Sequence, residues 1–226
     1  MERLFFWPPP AEEVGGQYIG VFVQRFSSDQ YHCGFLYFVS GQSPEVLHHH
    51  LSRPLSNEMP DPGKRVLCAL IDVDPLRAET IVSRARQVAA RHQGLGLNFA
   101  FSSPNQNWFS SDGLALVSED RLGLTCSHFV LALFESAGIR LVRVETWPDR
   151  EEDRVWQEEM IGRVQSSWVE VGEHTEMFLE QIRAEIGNKR VRPDEVGGAI
   201  LAGSENLPAS FEIVEPLSAE IRARLA

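Results

Sequence analysis

The stretch GLTCSHFVLALFESAGI, residues 123–139, sets one cysteine, Cys126, at the mouth of a strongly apolar run that reads as a helix. Free cysteines are among the most buried residue types, and most are inert core thiols. The placement of Cys126 adds a second reading. It starts the helix rather than lying within its apolar body, and Thr125 before it is a favourable N-cap residue. Unpaired backbone N–H groups and the helix dipole at that end favour thiolate and lower the thiol pKa. The same amides suit a developing oxyanion. The chemistry indicated is attack on a carbonyl carbon, with a thioester intermediate.

A thiol nucleophile needs a base, and the chain offers His32, His48, His49, His50, His92, His128 and His174. His128 lies two residues after Cys126, which on a helix turns its side chain about 200° away. His92 ends a helix, where a positive charge is favourable, and His174 falls in a charged, solvated region. His32 opens the apolar run HCGFLYF, and strand alternation groups it with Gly34, Leu36 and Phe38 on one face. Gly34 leaves room for another side chain to approach. A base also needs a group that fixes its tautomer. His48, sharing a face with Val46 on the next strand, suits that role, with His50 in reserve. The site read from these residues is Cys126 as nucleophile, His32 as base and His48 as orienting group.

Other chemistry is weakly signalled. The triplet His48–His50 suggests a metal, but adjacent strand residues point to opposite faces, so no metal is expected, and no HxxxH or HExxH pattern supports one. The glycines of GLGLNF and VGGAILAG match no phosphate loop, so no cofactor is expected.

The elements that must position these groups fall into two halves. Up to residue 73 the chain reads as strands at 17–26, 31–40, 45–51 and 65–73, joined by turn clusters as in an antiparallel meander or small barrel. An amphipathic helix follows from Pro75, with Ile81, Ala85, Val88 and Ala89 on one face. Residues 94–123 form a long polar loop, in which Trp108 and Phe109 either line a groove or anchor the loop in the core. Gly138 closes the Cys126 helix, and IRLVRV reads as a short strand. Beyond Asp149 come two charged helices broken near Val171–Gly172, carrying Trp156, Trp168 and Phe178. RPDEVGGAIL then reads as a helix, FEIVEP as a strand and SAEIRARLA as a terminal helix.

With 226 residues, 43% of them hydrophobic, the chain can bury a core as one domain. Its net charge of -11 argues against non-specific nucleic-acid binding, which depends on neutralising phosphates. The three cysteines, Cys33, Cys68 and Cys126, form no CxxC pair, so a reduced compartment is the default. The N-terminal apolar run stops at three prolines and does not read as a secretory signal. No stretch approaches the roughly 18 apolar residues of a membrane span. The expectation is a soluble protein made in the cytoplasm, open to export without a signal peptide.

LTCSHFVLALFESAGI resembles the cysteine motif of NlpC-type cell-wall peptidases, where Cys-Ser opens an apolar helix. HCGFLYF followed by VLH resembles that family's histidine motif. The helix before GLGLNFAFS is similar to the element that precedes the cysteine there. The resemblance spans roughly residues 17–142. Here the histidine strands precede the cysteine, the order of the circularly permuted branch of the papain-like superfamily, which also holds lipid acyltransferases and amidases. Two positions depart from the pattern: His128 stands where the motif has glycine, and Phe99 where it has tyrosine.

The resemblance implies an α+β papain-like fold, a small antiparallel sheet packed on the Cys126 helix. Residues 1–148 would be the catalytic core and 149–226 a helical C-terminal extension packed on it. It implies a cysteine hydrolase acting on a peptidoglycan peptide, an isopeptide or an acyl amide. A secreted antibacterial effector would suit a hydrolase lacking a signal. The alternatives are an acyltransferase using the same thioester and a non-catalytic binding module. The expected partners are that substrate and a protein docked on the C-terminal helices.

Overall fold

A computed structural model describes residues 3–7, 17–27, 30–39, 43–51, 55–61, 63–92, 96–104, 107–118, 121–168 and 175–226. The strands are β1 (Leu4–Phe6), β2 (Gln17–Arg25), β3 (Tyr31–Val39), β4 (Glu45–Leu47) and β5 (Val66–Ile71). They form one antiparallel sheet in the order β1-β5-β2-β3-β4. The helices are α1 (Pro75–Arg91), α2 (Cys126–Ser136), α3 (Glu151–Trp168), α4 (Thr175–Ala184), α5 (Pro193–Leu201) and α6 (Phe211–Leu225). The protein is therefore α+β, as its sequence suggests.

Alternation decides which side of the sheet each residue serves. Ile19, Val21 and Val23 of β2, Cys33 and Phe35 of β3, and Leu67, Ala69 and Ile71 of β5 join one core with α1, α2 and α5. Phe22, Leu36, Phe38, Cys68 and Leu70 point to the other face and cluster with Phe5 and Val46. Helix α2 lies deep in the first core, with Phe129 to Phe134 all buried. Full burial of each such Leu or Phe stabilises by roughly 1.5–3 kcal/mol. Helix α5 is held between the sheet and α6: a Cβ at Gly197 would come within 2.6 Å of Ile221 and 3.1 Å of Val23. Helices α3 and α4 bury Met160, Ile161, Val164, Leu179 and Ile182 against Phe99, Phe101 and Leu122, just ahead of Cys126.

Several sequence readings need correction. The sheet is a meander only through β2, β3 and β4. The chain then returns to the opposite side of β2 as β5, and β1, unread in the sequence, adds to its edge. The strand read over 45–51 ends at Leu47, and His48 instead makes an isolated bridge with Ser56. IRLVRV forms one bridge, Val142 to Ala209, and then a 3-10 turn at Val144–Thr146, because its backbone meets only the loop entering α6. FEIVEP is not a strand but the first part of α6. Burial of Val214, Ser218, Ile221 and Leu225 at helical spacing outweighs the β-rich composition. Pro216 falls on the exposed side, where a helix tolerates a lost hydrogen bond best. The break read near Val171–Gly172, and His174, lie outside the described residues.

Candidate active site

Thr125 caps α2 as its residue type suggests, its hydroxyl accepting the His128 backbone N–H at 3.2 Å. The Cys126 thiol thus sits at a capped helix N-terminus, partly exposed, while Cys33 and Cys68 are buried. Helix α2 carries it to the end of β3. Strand β4 pairs only with Phe35–Tyr37, so β3 has no β4 partner at His32 and Cys33. There Cys126 neighbours both Cys33, on the helix face of β3, and His32, on its other face.

The electrostatics follow from this placement. Hydrogen bonding from the Cys33 thiol is the largest of the influences holding Cys126 well below the usual thiol range. Burial opposes it, and the charge and hydrogen bond of His32 and the Cys33 backbone N–H add to it. Cys33 moves the opposite way: burial first, then its neighbour's charge, push it well above the usual range. The Cys33 thiol donates to the Ser127 hydroxyl at 3.8 Å, and its place beside Cys126 favours charge on the Cys126 sulfur rather than on its own.

His32 and His48 are brought together as the sequence suggests. His32 Nε2 lies 3.0 Å from His48 Nδ1, and His48 Nε2 lies 3.1 Å from the Glu58 carbonyl oxygen. A carbonyl only accepts, so His48 Nε2 carries the proton and its Nδ1 is an acceptor. Burial, then the charge of His32, lowers His48 to about 4, which keeps it neutral. His32 must then donate through Nε2, leaving Nδ1 as the nitrogen available to Cys126. Gly34 makes the contact possible: a Cβ there would stand 2.5 Å from both the His48 Cβ and the Phe22 ring. His50 stacks on His32 with centroids 4.3 Å apart and planes at 10°. One nitrogen from each of His32, His48 and His50 lies within 4.8 Å of the others, a set able to hold a metal ion. His49 turns away, its ring centroid 6.1 Å from Phe129.

His128 and His92 are structural. His128 donates from Nδ1 to the Ser102 carbonyl at 2.8 Å and accepts the Val191 N–H at Nε2, 3.5 Å. Where the resembled motif has glycine, this chain has a side chain that ties α2 to two other segments. His92 is not the helix-end charge its position suggests. It is buried, donates to the Gly96 carbonyl and accepts the Ala115 N–H at 3.1 Å, and burial lowers its pKa. Phe99 packs against Phe101 and Trp156, with ring centroids 5.8 and 6.4 Å away. Trp108 and Phe109 are core anchors, each 2% exposed. Sequence reasoning missed Cys33, although its neighbour His32 was read as the base. It also missed Glu58, whose backbone role leaves no sequence signal.

Burial, the largest influence on each, lowers His48, His49 and His128 to about 4, from an ordinary 6.5. Between pH 6.5 and 4 the unfolded chain therefore binds more protons at these sites than the folded one. Their contribution is present above pH 6.5 and is lost as pH falls toward 4. Urea unfolding across that window should show stability dropping on acidification, with a shallower drop in His128→Asn.

Fold and site together define an α+β protein whose helix-borne cysteine meets a pair of linked histidines at a sheet edge. Comparison with protein-family models, with curated proteins and with solved structures finds no match. Among the described residues, no helix is long and apolar enough to cross a membrane.

Proposed function

We propose that the protein is a cysteine hydrolase that cleaves an amide bond through a thioester on Cys126, in a papain-like arrangement of permuted order. The observation that carries this reading is the chain from His32 Nε2 to His48 Nδ1 at 3.0 Å and from His48 Nε2 to the Glu58 carbonyl at 3.1 Å, beside a Cys126 thiol whose pKa Cys33 and then His32 lower. Cys126 attacks the amide carbonyl as thiolate, and its backbone N–H at the start of α2 faces the developing oxyanion. His32 Nδ1 accepts the thiol proton and returns it to the departing amine. His48 holds His32 in the tautomer that leaves Nδ1 toward the sulfur. Water, activated by the same imidazole, then releases the acid. An amine or alcohol acceptor in place of water would give the acyltransferase outcome with the same residues.

The substrate class proposed is a peptidoglycan stem peptide, an isopeptide or an acyl amide, and an exported antibacterial role would be consistent with it. The acidic surface favours none of these over the others. Intact-mass spectrometry of the full chain with a panel of such amides tests the chemistry. The expected result is an acyl adduct on Cys126, released by hydroxylamine and absent in Cys126→Ala. Amine release that persists in Cys126→Ala would overturn the reading.

A further inference from the structure

His50 has no part in the reaction proposed above, yet it completes a cluster. Leaving β4 at Leu47, the chain sends His48 and His50, two residues apart, to the side where His32 lies. The consecutive histidines do diverge, as strand geometry requires, but only His49 is lost to the other side. The third ligand comes from β3 instead. Each imidazole offers a nitrogen within 4.8 Å of the other two, and the His32–His48 pair is already at 3.0 Å. Around zinc, with Zn–N near 2.0–2.1 Å, tetrahedral ligands stand roughly 3.3 Å apart. His50, stacked on His32 with planes at 10°, must turn out of that stack to aim its lone pair at the shared ion.

The surroundings also suit a metal. A ligating histidine commonly donates its other N–H to a carbonyl, which fixes the ring and its tautomer. His48 Nε2 does this with Glu58, and so turns the Nδ1 lone pair into the cluster. Three imidazoles with no carboxylate among them select zinc, copper or nickel over magnesium or calcium.

We propose that His32, His48 and His50 form a binding site for a zinc-like divalent ion, and that its occupation switches the hydrolase off. The second half rests on the proposed function; the first does not. An ion on His32 takes the Nε2 lone pair, so the ring's single proton, which Nε2 had donated to His48, moves to Nδ1. That is the nitrogen on which the proposed reaction relies. It has no lone pair left for the thiol proton, so the base is lost while the thiol remains in place.

The test uses the full chain freed of metal with EDTA, and zinc chloride as the probe. Calorimetry should show one ion bound per chain at micromolar or tighter affinity. His50→Ala and His50→Phe, the latter keeping an aromatic ring on His32, should weaken binding at least tenfold, and Cys126→Ala should not. In turnover assays, zinc should inhibit wild type reversibly, and both His50 variants, each compared with its own rate in EDTA, should need at least tenfold more zinc for inhibition. Binding by the His50 variants as tight as wild type, or the absence of one-to-one binding, overturns the site. Tight, His50-dependent binding that leaves turnover unchanged or raises it overturns the switch. Absence of any amide turnover would count against the hydrolase, and calorimetry would still decide the metal site.

Discussion

Alanine at position 32 is expected to slow amide cleavage by about 10²–10⁴-fold, the usual worth of a positioned general base. The reason lies in the division of labour between two nitrogens. His32 Nε2 is committed to His48, so only Nδ1 can serve the sulfur. Removing the ring removes the proton acceptor and one of the interactions that hold Cys126 as thiolate. His48→Ala should cost less, because His32 keeps its place while losing the partner that fixes its tautomer. Circular dichroism separates this from unfolding, since His32 packs beside Phe22 and Phe26. Turnover in His32→Ala within threefold of wild type would contradict the assignment.

The second large effect concerns stability. Asp153, 7% exposed at its side chain, accepts from Arg150 at 2.6 Å, Arg190 at 3.0 Å and Arg192 at 2.9 Å. Arg190 lies over Trp156, 3.4 Å from the ring centroid, and burial lowers its pKa to about 10 despite the carboxylate beside it. Asp153→Ala leaves this cation buried and without its carboxylate, and removing one partner of a buried pair typically costs about 3–5 kcal/mol. Glu195 still holds Arg150 at 2.5 Å, which limits the damage there. In a chain of this size the loss corresponds to a fall in Tm on the order of 10 °C. Calorimetric scanning checks it, and a fall of only a degree or two would show the cluster to be dispensable.

These two sites differ in how far the sequence exposes them. The cysteine helix is legible because three independent signals coincide at one point: an N-cap type at Thr125, an apolar run, and Gly138 at φ 80° as its stop. His32 and His48 are legible because strand alternation and Gly34, two residues beyond His32 on β3, act over a few residues. Helix α5 is legible as a helix, yet its burial is not. Asp194 and Glu195 lie within the core, held by Arg222, Arg150 and the Trp147 indole N–H. Such pairs join residues distant in the chain, and local pattern carries no trace of them. The same holds for Cys33, which meets Cys126 only because α2 packs on its face of β3, and for α6, where burial decides against local β preference.

The account rests on Cys126 being a thiolate that His32 sustains. The most direct measurement is its iodoacetamide alkylation rate from pH 4 to 10, in wild type and in His32→Ala. The rate should reach its plateau well below the ~8.5 of a free thiol, and His32→Ala should move the midpoint upward. A rate that rises only through ~8.5, identical in both proteins, would contradict it.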